Sequence, residues 1–238
     1  MDVRIDIREI KERGAQHNNM LSKILNMNEP HVACLFLVDT SSSMSGESIN
    51  SLNVEINRFK EEVCRDKRTK DILDVAIVEF NSNVRVVQDW CPIEYMETIN
   101  LEANGDTDIE GGLRVAIDMV LDRTRLYCEV IGVRPYRPMI VMVTDGCFNC
   151  SITEIAAEIA ELDEKGKLAL WSFAVGDADM NALKELCGGR RIFRFEGKDF
   201  TYFFDWLSVG TTSLSRNCPG ERLRLPENAD IDIFDDWM

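Results

Sequence analysis

The chain has 238 residues, 45% of them hydrophobic, and a formal net charge of −15. Length and apolar content suit one large α/β domain with extensions and a full core. The acidic balance argues against nucleic acid as a partner, because phosphates would be repelled and no basic patch stands apart in the sequence.

The first residues, MDVRIDIREIKERG, mix charges and hold no apolar run of signal-peptide length. No stretch approaches the roughly 20 apolar residues of a membrane span. The chain is therefore expected to be cytoplasmic and its eight cysteines reduced. Cys34 and Cys64 sit in or beside apolar runs and read as small core residues. Residues 1–30 read as an N-terminal extension packing on the main domain. Ile5, Ile7 and Ile10, then Met20, Leu21, Ile24 and Leu25, suit one strand or a helix before Asn28-Glu29-Pro30 breaks the chain.

Ala33–Val38 is a continuous apolar run, as expected of a strand buried on both faces, and it ends in the polar turn DTSSSMSG. From Glu47 to about Arg65, Ile49, Leu52, Ile56, Phe59 and Val63 recur in steps of three and four, which predicts a helix with one apolar face; Val54 falls off that stripe. Leu73–Phe80 is the next strand, and Val84–Val87 pairs with it through the Asn81-Ser82-Asn83 turn. After Thr107 a second amphipathic helix presents Ile109, Leu113, Ala116, Ile117, Val120 and Leu121. Met139–Val143 is again wholly apolar and runs into Thr144-Asp145-Gly146. Ile152–Leu162, Met180–Leu186 and Phe200–Leu214 read as helices, Ala169–Val175 and Arg191–Phe195 as strands. Alternating strands and helices with apolar strands in the middle predict a single α/β domain: a doubly wound, mostly parallel central sheet flanked by helices, Rossmann-like, over residues 31–215. The pattern stops at Asn217, leaving residues 216–238 as an acidic C-terminal tail with Asp232, Asp235 and Asp236 among Ile233, Phe234 and Trp237. That tail reads as packed on its own domain, or as a docking peptide.

Oxygen-bearing residues gather at the predicted strand ends. Asp39 ends the first strand, Ser41 and Ser43 lie on the turn after it, Thr107 opens a helix after Asn104-Gly105-Asp106, and Asp145 ends another apolar strand. Doubly wound sheets bind ligands at the carboxyl ends of their strands. Carboxylates and hydroxyls are hard oxygens suited to Mg²⁺ or Mn²⁺. Two carboxylates and three neutral oxygens neutralise such an ion incompletely, so it keeps the power to take a carboxylate from another molecule. Taken alone, Asp-x-Ser-x-Ser is also what a helix N-cap turn looks like. Asp106 and Asp108 read as helix-start acids favoured by the helix dipole.

The run LFLVDTSSSMSG, with Thr107 in NGDTDIEGGL and Asp145 in MIVMVTDG, resembles a von Willebrand factor A domain with its metal-ion-dependent adhesion site. All five motif positions are filled; the family's usual glycine between the two serines is Ser42 here. The resemblance implies that Ser41, Ser43 and Thr107 ligate the metal directly, with Asp39 and Asp145 acting directly or through water. The RPMIVMVTDG strand and Leu225-Pro226 in the tail are similar to the intracellular bacterial branch found near tellurite- and toxic-anion-resistance operons. That likeness implies partners such as a kinase and phosphatase of a stress-response system; other intracellular members serve AAA-type ATPases.

Catalytic readings fare less well. No histidine follows His31 and no G-x-S-x-G elbow occurs, which removes a Ser-His-Asp hydrolase. No phosphate-binding glycine loop is present. A metal-dependent phosphohydrolase borrowing the same cluster is the alternative to an interaction module, and a structural component with a vestigial site is a third reading. Cys147 and Cys150 form a C-x-x-C that reads as two loop or helix-start thiols, since a zinc site would need two further ligands. Trp171 and Trp206 read as core aromatics, while Trp90 fits either core or surface.

Overall fold

The computed structural model describes residues 26–145, 151–176, 178–195, 204–205, 207–211 and 232–233. The expected strand or helix before residue 26, Cys147, Cys150 and Trp206 lie outside them. Among the described residues, seven strands form one sheet: β1 (Val32–Asp39), β2 (Leu73–Phe80), β3 (Val84–Pro92), β4 (Met139–Thr144), β5 (Ala169–Val175), β6 (Ile192–Phe195) and β7 (Asp232–Ile233), in the order β3-β2-β1-β4-β5-β6-β7. Neighbours from β2 to β6 are parallel; β3 and β7 run antiparallel at the two edges. Every residue of β1, β2, β4 and β5 is buried. Helices cover both faces, which is why these strands carry no polar–apolar alternation.

One face packs Phe36, Val141, Phe173 and Phe193 against α1 (Glu47–Val63), together with Phe204 and Leu207. The other packs Leu35, Leu37, Ile140 and Met142 against α3 (Ile109–Arg125), α4 (Thr153–Glu164) and α5 (Met180–Cys187). The apolar stripe of α1 is buried as its spacing predicts, and Val54 is left 62% exposed. Cys34 lies in the core, and Cys64 is half-buried against it.

Some elements differ from the sequence reading. The first helix stops at Val63, and α2 (Lys67–Ile72) follows because Asp66 caps it, accepting from the Thr69 N–H at 2.8 Å. β3 runs on to Pro92, past the expected Val87, and register shifts near Ile77 absorb the irregularity. Beyond α3 the chain widens into one π-helical turn, Leu126–Ile131. β7 forms inside the segment where the pattern of apolar residues had stopped.

The amino-terminal end of β1 and β2 encloses a charged cluster. Asp74 and Arg123 are each 1% exposed. Arg123 Nη2 donates to Asp74 Oδ2 at 2.9 Å, and its Nε donates to the Tyr127 oxygen at 2.9 Å. The Tyr127 hydroxyl donates to the same carboxylate. His31 Nδ1 lies 3.2 Å from Asp74 Oδ2, and its ring stacks on Tyr127. Trp90 is buried here as well, under the Arg123 guanidinium, with its indole N–H donating to Met119 O at 3.2 Å. Burial pushes the Asp74 carboxyl up, but the close approach of His31 and the Arg123 charge outweigh it and hold it below the ordinary carboxylate range.

Candidate functional site

The site is built at the opposite, carboxyl end of the same strands. Parallel pairing of β1 with β4 sets Val38 beside Val143. One residue further on, the chain ends of both strands leave the sheet side by side. Asp39 is fully buried there. Its Oδ1 accepts the Ser41 N–H at 2.9 Å and its Oδ2 accepts the Thr144 hydroxyl at 2.7 Å. The chain then turns through a short 3-10 segment, Ser42–Met44, and brings Ser41 Oγ to 3.0 Å from Ser43 Oγ. Ser41 is buried and Ser43 exposed, so the hydroxyl pair runs from the core to the surface.

Thr107 arrives on a loop fastened to the ends of β1 and β2. Asn104 N–H donates to Thr40 O at 2.8 Å, and Asp108 N–H to Asn81 O at 2.7 Å. Both the N–H and the hydroxyl of Ser42 donate to Gly105 O, at 3.0 and 2.9 Å. Asp106 N–H donates to Ser82 Oγ at 2.8 Å. Gly105 has φ +74, and a Cβ added there would lie 2.6 Å from Ser82 Oγ, so only glycine suits this docking. Asp108 caps α3, accepting the Gly111 N–H at 3.0 Å, as a helix-start acid should. Thr107 itself is half-buried.

Asp145 follows β4 directly and is half-buried, yet its Oδ1 is buried with no hydrogen-bond partner among the described residues. An orphaned carboxylate oxygen is costly unless a cation or donor meets it. Burial also pushes the Asp39 carboxyl above its ordinary range, against the hydrogen bonds from Ser41 and Thr144, and the Asp145 charge adds to the rise. Two carboxylates thus face a common region without a cation among the described side chains to balance them. Among those residues no three His, Cys, Asp or Glu side chains gather as metal ligands. The five residues singled out from the sequence, two carboxylates and three hydroxyls, are a different set of donors.

Asp39, Ser41 and Ser43 are therefore brought into direct contact, Asp145 acts on Asp39 through its charge, and Thr107 reaches the same end of the sheet on its anchored loop. The supporting residues Thr40, Ser42, Asn81, Asn104 and Thr144 were not singled out as supports from sequence. Only Thr144 carried a signal, as the last polar residue before Asp145 in an otherwise apolar strand. A shallow groove borders the serine turn, with Ser45, Ile49 and Asn50 on one side and Asn100, Leu101 and Glu102 on the other. Among the described residues no helix is long and apolar enough to cross a membrane.

The family model for the von Willebrand factor type A domain matches residues 34–206. No match was found among curated proteins. Among solved structures, proximal thread matrix protein 1 from the mussel byssus aligns with a TM-score of 0.55 at 16% identity, over 77% of this chain and 48% of that one. A von Willebrand factor type A structure from Catenulispora acidiphila aligns with a TM-score of 0.58 at 15% identity, over 77% and 43%. The byssus protein with a zinc-occupied MIDAS motif aligns with a TM-score of 0.51 at 18% identity, over 79% and 45%. This chain spans less than half the length of those structures, and at such identities the likeness is one of fold.

Proposed function

Because the chain belongs to the von Willebrand factor type A domain family, whose members generally serve as metal-dependent protein-interaction modules, we propose that it grips an acidic residue of a partner protein through a Mg²⁺ or Mn²⁺ site. Asp39, Ser41, Ser43, Thr107 and Asp145 would hold the ion. The observation that carries this reading is the buried, unpartnered Oδ1 of Asp145 beside the buried Asp39 carboxyl. When bound, the ion supplies a Lewis-acidic positive charge able to accept a Glu or Asp carboxylate. The chain's own residues do the rest. Thr144 and the Ser41 N–H orient the Asp39 carboxylate, Ser42 keeps the serine turn against the Thr107 loop, and the groove beside the turn receives the residues next to the partner's acid.

The residue inventory favours binding over turnover: the described site has neither a histidine base nor an arginine among its hydrogen-bonded members. The proposed setting is a cytoplasmic bacterial stress-response or signalling complex, with a kinase and phosphatase or an AAA-type ATPase as partner; the RPMIVMVTDG strand and Leu225-Pro226 support it.

Calorimetric titration with Mg²⁺, Mn²⁺ and Zn²⁺ tests the site. Zn²⁺ is included because the byssus structure holds zinc in its MIDAS motif. Wild type should bind at least one ion, and Asp39→Ala should weaken binding at least about tenfold. Affinity capture with and without EDTA should then show a partner lost on chelation and with Asp39→Ala. Failure of the wild type to bind any of the ions would overturn the proposal. Phosphatase turnover abolished by Asp39→Ala would move the assignment to a hydrolase.

A further inference from the structure

Helix α1 carries three asparagines on one stripe. Asn50, Asn53 and Asn57 stand three and four residues apart, so their side chains leave the same face. Two of them hold a neighbouring stretch of the chain by its backbone. Asn57 Nδ2 donates to Ile99 O at 2.8 Å, and its Oδ1 accepts the Ile99 N–H at 2.9 Å. Asn53 Nδ2 donates to Leu101 O at 2.9 Å, and its Oδ1 accepts the Leu101 N–H at 2.7 Å. Each amide takes both backbone groups of one residue, as a facing residue does in an antiparallel ladder. The spacings agree. Four helical residues rise about 6 Å, and two residues of extended chain cover about 6.6 Å.

Asn50 is the next amide along the stripe, about 4.5 Å nearer the serine turn. It is exposed, and its side chain has no hydrogen-bond partner among the described residues. Past Leu101 the chain turns to β1 instead, where the Asn104 N–H donates to Thr40 O. Asn50 therefore faces the groove beside the serine turn, with Leu101 and Glu102 across from it. That groove holds about 320 Å³, which suits a short stretch of chain and not a folded element. Glu102 is exposed and has no ion pair among the described residues. The segments bordering the groove, Asp39–Asn57 and Ile93–Leu113, contain no Lys or Arg.

We propose that Asn50 grips the main chain of an extended partner segment in this groove, taking both backbone groups of one residue, and that Glu102 pairs with a Lys or Arg of that segment. The inference rests on the metal-site reading above, in which the same segment's acid reaches the ion. The amide selects conformation: a helix satisfies its N–H and C=O groups internally, whereas extended chain offers both groups of one residue. Charge selects composition: neither wall offers a cation to balance a wholly acidic segment, so the acid that reaches the ion arrives with a basic neighbour.

Short peptides with one central Glu and varied neighbours, arrayed and probed with the full chain in Mg²⁺ or EDTA, test this. Retained peptides should need Mg²⁺ and be enriched in Lys or Arg near the Glu. Placing an N-methyl group on the gripped residue, which removes one main-chain N–H, should weaken the best peptide about tenfold on wild type and hardly further on Asn50→Ala. Glu102→Lys should turn the preference from basic to acidic neighbours, a reversal that a merely structural role would not give. Asn50 is exposed, and thermal unfolding of Asn50→Ala checks that the fold is kept. Mg²⁺-dependent retention that lacks the basic preference, or that is as strong on Asn50→Ala, would overturn this inference and leave the metal site standing. Mg²⁺ binding by calorimetry without Mg²⁺-dependent retention would overturn it too. Absence of any metal binding would overturn the metal-site reading and this inference with it.

Discussion

Asp39 is a buried carboxylate with the Asp145 charge close by. Asp39 keeps its hydrogen bonds to Ser41 and Thr144, but burial raises its carboxyl above its ordinary value of 3.8 and the Asp145 charge adds to the rise. An acid whose folded-state value is raised binds more protons folded than unfolded, so its ionised form lowers stability as pH climbs above 3.8. Asp39→Asn removes that charge while its amide can still accept from the Ser41 N–H and donate to Thr144. With EDTA at neutral pH, Asp39→Asn should melt a few degrees above wild type in calorimetry. With Mg²⁺ at a hundred times its Kd, wild type should gain about 2.7 kcal/mol, roughly 5–10 °C, and the variant almost none. A variant that melts below wild type in EDTA would show that the carboxylate is needed for the fold.

At the scale of elements, two anchors hold the sheet. The first is the cluster around Asp74. Its depressed carboxyl contributes stability that is fully present above 3.8 and is lost as pH falls through the lower folded value. Acid unfolding of wild type should therefore steepen below pH 3.8, and Asp74→Asn should flatten that limb. Asp74→Ala leaves the Arg123 guanidinium buried without its carboxylate and should cost about 3–5 kcal/mol in urea unfolding. The second anchor is the loop carrying Thr107. Gly105→Ala forces a side chain into φ +74 against Ser82, a strain of about 1–2 kcal/mol. Its expected signature is a several-fold loss of metal affinity with α3 intact by circular dichroism. Neither anchor was legible in the sequence. Asp74 and Arg123 stand 49 residues apart, and nothing in either segment marks the two as a pair. The links from Ser42 to Gly105 and from Asp106 to Ser82 join segments that touch only once the strands are in register. The six-residue α2 was hidden because Lys67, Arg68 and Lys70 give it almost no apolar face.

At the scale of the whole molecule, one sheet separates two cores, and each core owns a buried tryptophan. Trp171 lies with Phe173 and Phe193 on one side; Trp90 lies with Leu113 and Tyr127 on the other. Because β1, β2, β4 and β5 contribute to both cores, the two faces cannot open separately. Single-tryptophan variants retaining either Trp90 or Trp171 should give coincident urea midpoints. Midpoints clearly apart would mean that the faces unfold as separate units. This architecture was the most legible part of the sequence, since strands buried on both faces write themselves as unbroken runs such as Ala33–Val38 and Met139–Val143. The candidate ligands were legible for a related reason: Asp39, Ser41 and Ser43 are nearly contiguous, and Asp145 terminates one of those runs. What the runs cannot encode is pairing at the sheet's rim, which is why β7 was not foreseen.

The position of Asp39 on β1 has a mechanical consequence. β1 is paired along its whole length with β2 and over most of it with β4, and its far end abuts His31 and the buried ion pair. A pull exerted at the Asp39 end by a tethered partner would load these ladders in shear, with many hydrogen bonds sharing the force at once. Thr107 and the serine turn lie on loops, but Asp39 closes a strand that is paired on both sides. Tension would therefore be carried into the body of the sheet, and the handle should hold until the sheet itself yields.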